Sequence, residues 1–296
     1  MKCLVTGGAG FIGSHLVDEL VEDGHEVVVI DNLSTGKKEN INPKAKFYNI
    51  DICEMHIKGL CSMFEGVDVV FHTAAKARVQ PSIQNPTEFN DVNVGGTLNM
   101  LQACVDYGVN RFVFSSSSSV YGETEDLPTS ELSKTNPMSP YALQKLIGEQ
   151  YCKLYTEIHD LETVCLRYFN VYGDRMSMDG AYKLVIPIFI EQKLNGKPMT
   201  IRGDGEQRRD FTHIDDIVDA LYQCIGKDFR AEFFELGRGV NYSINELAAL
   251  WGGYPTEYID ARPGEYPWTL CEDKNAREKL GWVPFRNLDD YIKTQL

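Results

Sequence analysis

Tyr141 and Lys145 stand four positions apart and form the first candidate catalytic pair of the chain. They follow Pro137 and Pro140 at the start of a stretch with helical periodicity, which would place both side chains on one helix face. A neighbouring ammonium stabilises a phenolate and lowers the tyrosine pKa from about 10 towards neutrality. The pair therefore predicts a general base.

A run of five serines, Ser115–Ser119, supplies hydroxyl groups at the end of a predicted strand. In open parallel α/β sheets, ligands bind outside the carboxyl ends of the strands. We therefore expect the serine run to belong to a site that also contains Tyr141 and Lys145.

A second candidate site lies near the N-terminus, where Gly7, Gly10 and Gly13 follow the first predicted strand and open the first predicted helix. This order places bare backbone where a dinucleotide pyrophosphate approaches a helix N-terminus. A tight turn that needs positive φ would explain the glycines without any ligand. Their position between strand and helix favours the dinucleotide site.

The residues after the next two strands refine that prediction. Asp31 ends the second strand, where a carboxylate accepts hydrogen bonds from the adenosine ribose and repels a 2′-phosphate, which favours NAD over NADP. Lys37 and Lys38 argue the other way, but lysines in an exposed loop are more often solvated than specific. Asp51 and Ile52 could hold the adenine ring, and an ordinary loop carboxylate explains Asp51 equally well.

The scaffold that must position these residues alternates short apolar runs with longer amphipathic ones. The predicted strands are Cys3–Thr6, Glu26–Ile30, Lys46–Asn49, Asp68–His72, Arg111–Ser115 and Thr163–Arg167. The predicted helices are Phe11–Asp23, Met55–Phe64, Asp91–Tyr107 and Tyr141–His159. Near-continuous apolar strands alternating with helices predict an α/β fold, a doubly wound parallel (Rossmann) sheet covered on both faces.

This alternation ends after the sixth strand, and the rest of the chain is predicted to form a smaller cap. Its predicted elements are helices at Leu184–Leu194 and Ile214–Ile225 and a strand at Phe233–Leu236 that returns to the main sheet. We therefore predict a dinucleotide-binding domain over 1–170, with 212–237 returning to it, and a substrate-binding cap over 171–296.

Composition restricts the possible ligands and locations. The 296 residues are 43% hydrophobic and 24% charged, which is typical of a globular protein. A net charge of −14 disfavours binding to nucleic acid or to an anionic membrane. We find no signal peptide and no apolar run of the roughly 18 residues that a membrane span needs. The eight cysteines show no Cys-x-x-Cys spacing and are expected to be reduced, so we expect a cytoplasmic location.

Six ordered motifs carry a family resemblance that spans nearly the whole chain. They are Thr-Gly-Gly-Ala-Gly-Phe-Ile-Gly at 6–13, Ser-Ser-Ser-Val-Tyr-Gly at 117–122, Ser-Pro-Tyr-Ala-Leu-Gln-Lys at 139–145, Arg-Tyr-Phe-Asn at 167–170, Arg-Asp-Phe-Thr-His at 209–213 and Leu-Gly-Trp at 280–282. The chain resembles the extended short-chain dehydrogenases/reductases. Within them it is most similar to the NAD-dependent epimerases of nucleotide sugars that act at C4 of UDP-hexoses.

The resemblance implies roles for individual residues. It implies Ser117, Tyr141 and Lys145 as the catalytic set, with Ser117 hydrogen-bonded to the sugar hydroxyl. With the residues already named, the predicted NAD contacts are Gly7, Gly10, Phe11, Ile12, Gly13, Asp31, Asn32, Asp51, Ile52, Ala74, Lys76, Asn93, Ser115, Tyr141, Lys145 and Tyr168. The predicted substrate contacts are Ser117, Asn170, Arg209, Arg262 and Thr269, of which Asn170 and the two arginines would bind the UDP diphosphate. No metal site is predicted.

The serines also distinguish branches of the family. Sugar 4,6-dehydratases carry an Asp-Glu pair directly after the catalytic Ser or Thr, because elimination of water needs an extra acid and base. Here Ser118 and Ser119 occupy those positions, and UDP-glucuronate decarboxylases usually have a glutamate where Ser119 stands. The predicted reaction is therefore C4 epimerisation of a UDP-hexose through a 4-keto sugar, with NAD retained between turnovers.

Other functions stay open at this stage. They are another modification of a nucleotide sugar (uronate epimerisation, decarboxylation, dehydration or reduction), net oxidoreduction that releases NADH, and a non-enzymatic dinucleotide sensor on the same fold. The resemblance also implies a homodimer that pairs through Asp91–Tyr107 and Tyr141–His159. No nucleic-acid or membrane partner is expected.

The identity of the hexose depends on the cap. Gly180-Ala181-Tyr182 resembles enzymes that take N-acetylated sugars. Thr269 aligns with a pocket position at which a small residue leaves room for an N-acetyl group, so we predict turnover of UDP-GlcNAc and UDP-GalNAc besides UDP-glucose and UDP-galactose. A local role for the Thr269 hydroxyl, or a register shift that places Trp268 in the pocket, would remove this prediction.

Overall fold

A computed structural model of the protein describes residues 1–54, 61–176, 184–261 and 267–296. Its strands are β1 (Lys2–Thr6), β2 (Glu26–Asp31), β3 (Lys46–Asn49), β4 (Val69–His72), β5 (Arg111–Ser117), β6 (Glu162–Tyr168), β7 (Val171–Tyr172), β8 (Met199–Arg202), β9 (Arg208–Asp210), β10 (Thr212–His213), β11 (Glu232–Leu236), β12 (Asn241–Ser243) and β13 (Thr256–Ile259). Seven of them form one parallel sheet in the order β11-β6-β5-β4-β1-β2-β3.

Helices connect these strands, and some of them cover the main sheet. They are α1 (Phe11–Glu22), α2 (Cys61–Phe64), α3 (Val79–Gln84), α4 (Pro86–Asn90), α5 (Thr97–Tyr107), α6 (Pro140–His159), α7 (Val185–Leu194), α8 (Ile214–Gln223), α9 (Ile244–Ala249) and α10 (Leu288–Thr294). Two π-helical segments, Asp91–Gly96 and Ala276–Leu280, and three 3₁₀ turns, Lys38–Asn40, Ile52–Glu54 and Ser118–Tyr121, complete the list.

The sheet is apolar on both faces because helices cover both. On β1, Val5 packs into a core with Leu16 of α1 and Leu221 of α8, while Leu4 packs on the opposite face into a core with Met100 of α5. All of these side chains are buried. This confirms the doubly wound α/β fold that the near-continuous apolar strands predicted.

The strand order reverses direction at β1, which lies between β2 and β4. At such a switch point the connections leave to opposite sides, and a crevice opens at the carboxyl ends of the strands. A third apolar core lies beyond this crevice and contains Phe189 of α7, Ile201 of β8 and Trp251. Two-stranded sheets, β8 with β13 and β9 with β12, belong to the same part of the chain.

The six predicted strands of the first half are confirmed to within two residues, and Phe233–Leu236 does join the main sheet through β6. One boundary matters for the site, because β5 continues to Ser117 instead of ending at Ser115. The predicted helix over Asp91–Tyr107 was wrong in type at its start, where Asp91–Gly96 is π-helical.

Other predictions for the connecting segments were incomplete. The predicted helix Met55–Phe64 is described only for Cys61–Phe64, because residues 55–60 lie outside the described part of the chain. Helices α3 and α4 and the two-stranded sheets were not predicted. In the described ranges, no helix has both the length and the apolar character required to cross a bilayer. The division into two domains stays a prediction.

Candidate functional site

A cavity of about 1240 Å³ opens at the carboxyl ends of the main strands and extends towards the third apolar core. Most of the residues predicted from the sequence line it. These are Gly7, Gly10, Phe11, Ile12, Gly13, Asp31, Asn32, Asp51, Ile52, Ala74, Lys76, Ser117, Tyr141, Tyr168, Asn170, Arg209 and Thr269. Asn93, Ser115 and Lys145 are buried outside the lining, and Arg262 lies outside the described residues.

The glycine loop at one end of the cavity cannot tolerate side chains. Gly7 has φ +70, and a Cβ there would stand 2.8 Å from the backbone N of Ala74. A Cβ on Gly13 would approach the carbonyl oxygen of Gly7 to 2.3 Å. Helix α1 begins at Phe11, and its N-cap Gly10 has no side chain to accept hydrogen bonds from the first helical N–H groups. The loop therefore presents bare backbone and a helix N-terminus to the cavity, which suits an anionic group.

Asp31 lies at the end of β2 and fixes the loop that borders the cavity. Its Oδ2 accepts a hydrogen bond from Ala9 N at 3.0 Å, and its Oδ1 accepts one from Leu33 N at 2.7 Å. Each carboxylate oxygen keeps acceptor capacity for a further hydroxyl group. Asp31 therefore fits the predicted contact with a ribose.

Asn32 and Asp51 contact each other at the same end of the cavity. Asn32 Nδ2 donates to Asp51 Oδ2 at 2.8 Å, and Cys53 N donates to Asp51 Oδ1 at 2.8 Å. Burial opposes ionisation of Asp51, but these hydrogen bonds outweigh it and hold the pKa of the carboxyl below its ordinary value. Asp51 therefore stays a carboxylate that orients Asn32.

Asn93 acts behind the cavity wall. Its Oδ1 accepts from Lys76 N at 2.8 Å, while its Nδ2 donates to Lys76 O at 2.9 Å and to Gln144 Oε1 at 2.9 Å. Asn93 thus holds the backbone of Lys76, whose ammonium forms an ion pair with Glu88. The structure places Asn93 where it positions a cavity residue; its predicted contact with NAD stays a prediction.

The start of α6 presents Tyr141 to the cavity and directs Lys145 behind it. Ser139 caps this helix, with its Oγ accepting from Ala142 N at 3.2 Å, and Pro140 occupies the first turn. Lys145 Nζ donates to Ser115 O at 2.7 Å and lies 6.0 Å from the centre of the Tyr141 ring. Burial lowers the pKa of Lys145 to about 8, although Glu149 opposes that decrease.

The serine run passes from strand to turn inside the site. Ser115 Oγ is hydrogen-bonded to Tyr168 OH at 2.9 Å, and Ser116 Oγ donates to Glu149 Oε1 at 2.5 Å. Ser117 also lines the cavity, and no described side chain of a neighbouring strand or helix is hydrogen-bonded to it. Its Oγ accepts a hydrogen bond from Ser119 N at 3.2 Å. The structure therefore brings Ser117 and Tyr141 to one cavity, as predicted.

Ser119 is a further candidate for contact with a ligand, and its position in the sequence did not predict this role. It lines the cavity, and its Oγ is buried without a hydrogen-bond partner among the residues that the structure describes. This hydroxyl therefore keeps a hydrogen bond available to water or to a ligand in the cavity. The sequence gives no signal that separates this hydroxyl from those of its neighbours.

Asn170 and Thr269 meet at the opposite end of the cavity. Asn170 has φ +21, and its Nδ2 donates to Asp210 O at 2.9 Å and to Thr269 Oγ1 at 3.4 Å. Thr269 Oγ1 also accepts from Asp210 N at 3.1 Å. Thr269 lines the cavity, whereas Trp268 does not and is 54% exposed. The register shift that would place Trp268 in the pocket is therefore not observed.

Asp210 organises this end and was not identified as a site residue from the sequence. Its carboxylate accepts hydrogen bonds from Arg238 N at 2.8 Å, Gly239 N at 2.9 Å and Cys271 N at 3.1 Å. It thereby joins two distant chain segments, 238–239 and the one at Cys271, to the strand end next to Arg209. Its place inside the Arg-Asp-Phe-Thr-His motif was the available signal.

Comparison with known proteins agrees with this geometry. Residues 3–237 match the family described as NAD dependent epimerase/dehydratase. The UDP-glucose 4-epimerase of Mycolicibacterium smegmatis is 40% identical over 295 residues, covering 96% of this chain and 94% of the relative.

Two solved structures resemble the whole chain. A UDP-glucose 4-epimerase from Thermotoga maritima, solved with UDP-glucose, has a TM-score of 0.94 and 38% identity, covering 100% of this chain and 97% of that one. A UDP-N-acetylglucosamine 4-epimerase from Methanobrevibacter ruminantium M1, in complex with UDP-N-acetylmuramic acid, has a TM-score of 0.93 and 36% identity, covering 99% and 96%. The chain belongs to the NAD-dependent epimerase/dehydratase family.

Proposed function

We propose that the protein is a C4 epimerase of UDP-hexoses that uses NAD. The observation that carries this proposal is one cavity that contains Tyr141, Ser117 and a glycine loop, with Ser118 and Ser119 at the positions where a dehydratase has its extra acid and base. Epimerisation needs only one base and a retained cofactor. The relatives named UDP-glucose 4-epimerase support the same reaction.

The cavity fits NAD at its glycine end. Bare backbone at Gly7 and Gly13 and the N-terminus of α1 would hold the pyrophosphate, and Asp31 would accept hydrogen bonds from the adenosine ribose. When bound, NAD⁺ supplies reversible oxidation of C4, so that the sugar passes through a 4-keto form that is reduced on its other face.

The protein's own residues manage the C4 hydroxyl proton. Tyr141 as phenolate accepts this proton while Ser117 hydrogen-bonds the same hydroxyl, and Tyr141 returns the proton after the sugar has turned. Lys145 favours the phenolate because its ammonium lies 6.0 Å from the centre of the ring. Its hydrogen bond to Ser115 O fixes this separation.

The other end of the cavity would bind the UDP-sugar. Asn170, Arg209 and Arg262 are proposed to hold the diphosphate, since arginine forms charge-assisted and often bidentate bonds with phosphate. Thr269 is proposed to border the sugar ring. The small side chain at this position supports turnover of N-acetylated hexoses together with UDP-glucose and UDP-galactose.

We also propose a cytoplasmic homodimer. The outer face of α6 carries exposed apolar side chains, Leu143, Leu154 and Ile158, and pairing of two chains would bury them. The seven cysteines whose side chains are described carry unbonded thiols, which suits a reducing compartment.

The test is to incubate the purified protein with a panel of UDP-sugars and to separate the products. Interconversion of C4 epimers without net NADH release is expected. Tyr141→Phe keeps the ring volume and should lower turnover by at least about 10²-fold, with UDP binding nearly unchanged. Stoichiometric release of NADH, loss of water from the sugar, or full activity of the Tyr141→Phe variant would contradict the proposal.

A further inference from the structure

Arg78 is a cavity residue with no assigned role and an unusual environment. It directly precedes α3 and lines the cavity, with a backbone φ of +99 that non-glycine residues rarely adopt. Its guanidinium makes no hydrogen bond or ion pair with any residue in the described ranges. Keeping a half-buried guanidinium without a partner among these residues costs free energy, and the strained backbone adds to that cost.

Other cations of the cavity wall have partners. Arg175 also has a left-handed backbone, with φ +61, but its guanidinium is paired with Asp18 at 2.7 Å and donates to Ser14 Oγ at 3.1 Å. Lys76 is paired with Glu88. The positive charge of Arg78, unlike those of Arg175 and Lys76, is therefore available to a group inside the cavity.

A hydrogen bond ties the segment of Arg78 to Tyr141. Ser82 Oγ, in α3, accepts from Tyr141 N at 3.1 Å and donates to Val79 O at 2.6 Å. Ser82 is fully buried, so α3 and the first turn of α6 form one unit. Arg78 and Tyr141 thus line the same cavity from two elements that are held together.

The two side chains interact electrostatically. Burial lowers the pKa of the Arg78 guanidinium, and the negative charge of an ionised Tyr141 opposes that decrease. The phenolate of Tyr141 is the one counter-charge that acts on Arg78 among the described residues. By linkage, the free energy that Arg78 gains from the phenolate equals the free energy by which Arg78 favours ionisation of Tyr141.

Two further titratable groups on described elements face Tyr141. Lys145, on the same helix, has a pKa lowered to about 8 by burial, so its charge is partly lost on the alkaline side of neutrality. Tyr168 of β6 is buried, which raises its pKa, so it stays neutral. An arginine keeps its charge throughout this range.

We propose that Arg78 is a positioning residue that stabilises the phenolate of Tyr141 as a second positive charge besides Lys145. In the neutral phenol state no described residue gives the guanidinium a counter-charge, and in the phenolate state Tyr141 gives it one. The proton that Tyr141 loses goes to solvent before the substrate binds, and the proton that it later accepts comes from the substrate hydroxyl. This inference rests on Tyr141 being the base of the proposed function, but not on the identity of the sugar.

The first experiment measures kcat/KM against pH for Arg78→Met and Arg78→Lys. The acid limb reports ionisation of the base in the free enzyme. Arg78→Met should move this limb to higher pH by about one unit. The value of kcat/KM should then fall about 10-fold at pH values on the acid side of the limb and change little at higher pH. Arg78→Lys should restore most of the wild-type profile. Arg175→Met, which removes a paired cation from the same cavity, should leave the limb in place.

The second experiment needs no substrate. Absorbance of tyrosinate is titrated in the purified, cofactor-bearing protein, and the Tyr141→Phe curve is subtracted to isolate Tyr141. Arg78→Met should raise the midpoint by about one pH unit. A raised midpoint in a protein that turns over no UDP-sugar would support this inference while contradicting the proposed function.

Two results would overturn the inference. One is an unmoved midpoint with a loss of activity that is equal at every pH, as expected of a merely structural arginine. The other is an unmoved midpoint with a raised KM for UDP-hexuronates alone, which would make a substrate carboxylate the partner of the guanidinium.

Discussion

Arg167 and Glu149 form a bidentate ion pair directly beneath the candidate site. Arg167 Nε donates to Glu149 Oε1 at 2.8 Å and its Nη2 donates to Oε2 at 2.7 Å, with side chains only 6% and 0% exposed. Ser116 Oγ donates to the same carboxylate. The pair therefore joins β5, β6 and α6, the three elements that carry Ser117, Tyr168 and Tyr141.

The first prediction concerns Glu149→Gln. Glu149 is the main group that keeps Lys145 protonated against the effect of burial, which lowers the Lys145 pKa to about 8. Lys145 is charged below that pH and neutral above it, so activity should fall on the alkaline side. Removing the Glu149 charge should lower the Lys145 pKa further and move the alkaline limb of the kcat/KM profile down by about one pH unit.

Glu235→Gln is the matched control for that variant. Glu235 also contacts Arg167, but it is not among the described groups that shift the pKa of Lys145. Its replacement should leave the alkaline limb unchanged. Glu149→Gln should also lower the free energy of unfolding by about 3 kcal/mol, because Arg167 loses its charged partner. An equal shift of the limb in both variants would show that Glu149 acts only through stability.

The second prediction concerns cofactor retention. Purified protein should release about one NAD(H) per chain on acid treatment, because a cofactor that left during turnover would strand the 4-keto sugar. Gly13→Ala places a Cβ 2.3 Å from the carbonyl oxygen of Gly7 and should abolish this retention. Gly95→Ala is the control, since a Cβ there meets no atom within 4 Å. Release of NADP would contradict the role given to Asp31.

The sequence allowed prediction of the features that depend on local pattern. Apolar runs predicted the buried strands because helices cover both faces, and the spacing of Tyr141 and Lys145 placed both near the start of one helix. The distance between the Lys145 ammonium and the Tyr141 ring depends on tertiary contacts as well as on the spacing of the two residues. The bond from Lys145 Nζ to Ser115 O depends on the approach of β5 to α6, which no local pattern contains.

The features that the sequence did not reveal arise from long-range contacts. Arg78 is distinguished by a positive φ and by the lack of a hydrogen-bond or ion-pair partner in the part of the chain that the structure describes, and the neighbouring sequence predicts neither feature. Asp210 joins segments that lie 28 and 61 residues away. In both cases the residue type is ordinary, and only the tertiary structure gives it a role.

The third prediction concerns Asp210→Asn. The Asp210 carboxylate accepts three backbone hydrogen bonds, whereas an asparagine offers one oxygen acceptor and turns an amide donor towards the remaining N–H groups. We expect the affinity for UDP-glucose to fall about 10-fold, because an unsatisfied buried donor costs about 1–3 kcal/mol. Calorimetric titration measures this, with the exposed Asp204→Asn as the control.

The same residue should make binding depend on pH. Burial raises the pKa of Asp210 to about 6, so the carboxyl is ionised above that pH and protonated below it. Protonation removes an acceptor from these backbone N–H groups, so the affinity for UDP-glucose should decrease as the pH falls through about 6. Asp210→Asn should bind weakly at every pH. A wild-type protein without this decrease would show that Asp210 is only structural.

The last prediction concerns substrate breadth through Thr269. Thr269 lines the cavity and Trp268 does not, so the residue beside the proposed sugar site is small. Its hydroxyl accepts from Asp210 N and Asn170 Nδ2, which holds the side chain against the wall and leaves the space in front of it open. We expect wild-type turnover of UDP-GlcNAc and UDP-GalNAc besides UDP-glucose and UDP-galactose.

Thr269→Tyr should fill that space and separate the two substrate pairs. Overpacking costs about 1–3 kcal/mol, so turnover of the N-acetylated pair should fall by about 10- to 100-fold, while conversion of UDP-galactose stays largely intact. Thr269→Ser keeps the hydroxyl and its two hydrogen bonds and should retain both activities, which separates an effect of bulk from an effect of lost bonding. Equal losses on both pairs, or no wild-type turnover of UDP-GlcNAc, would place the determinant of substrate size elsewhere in the cavity.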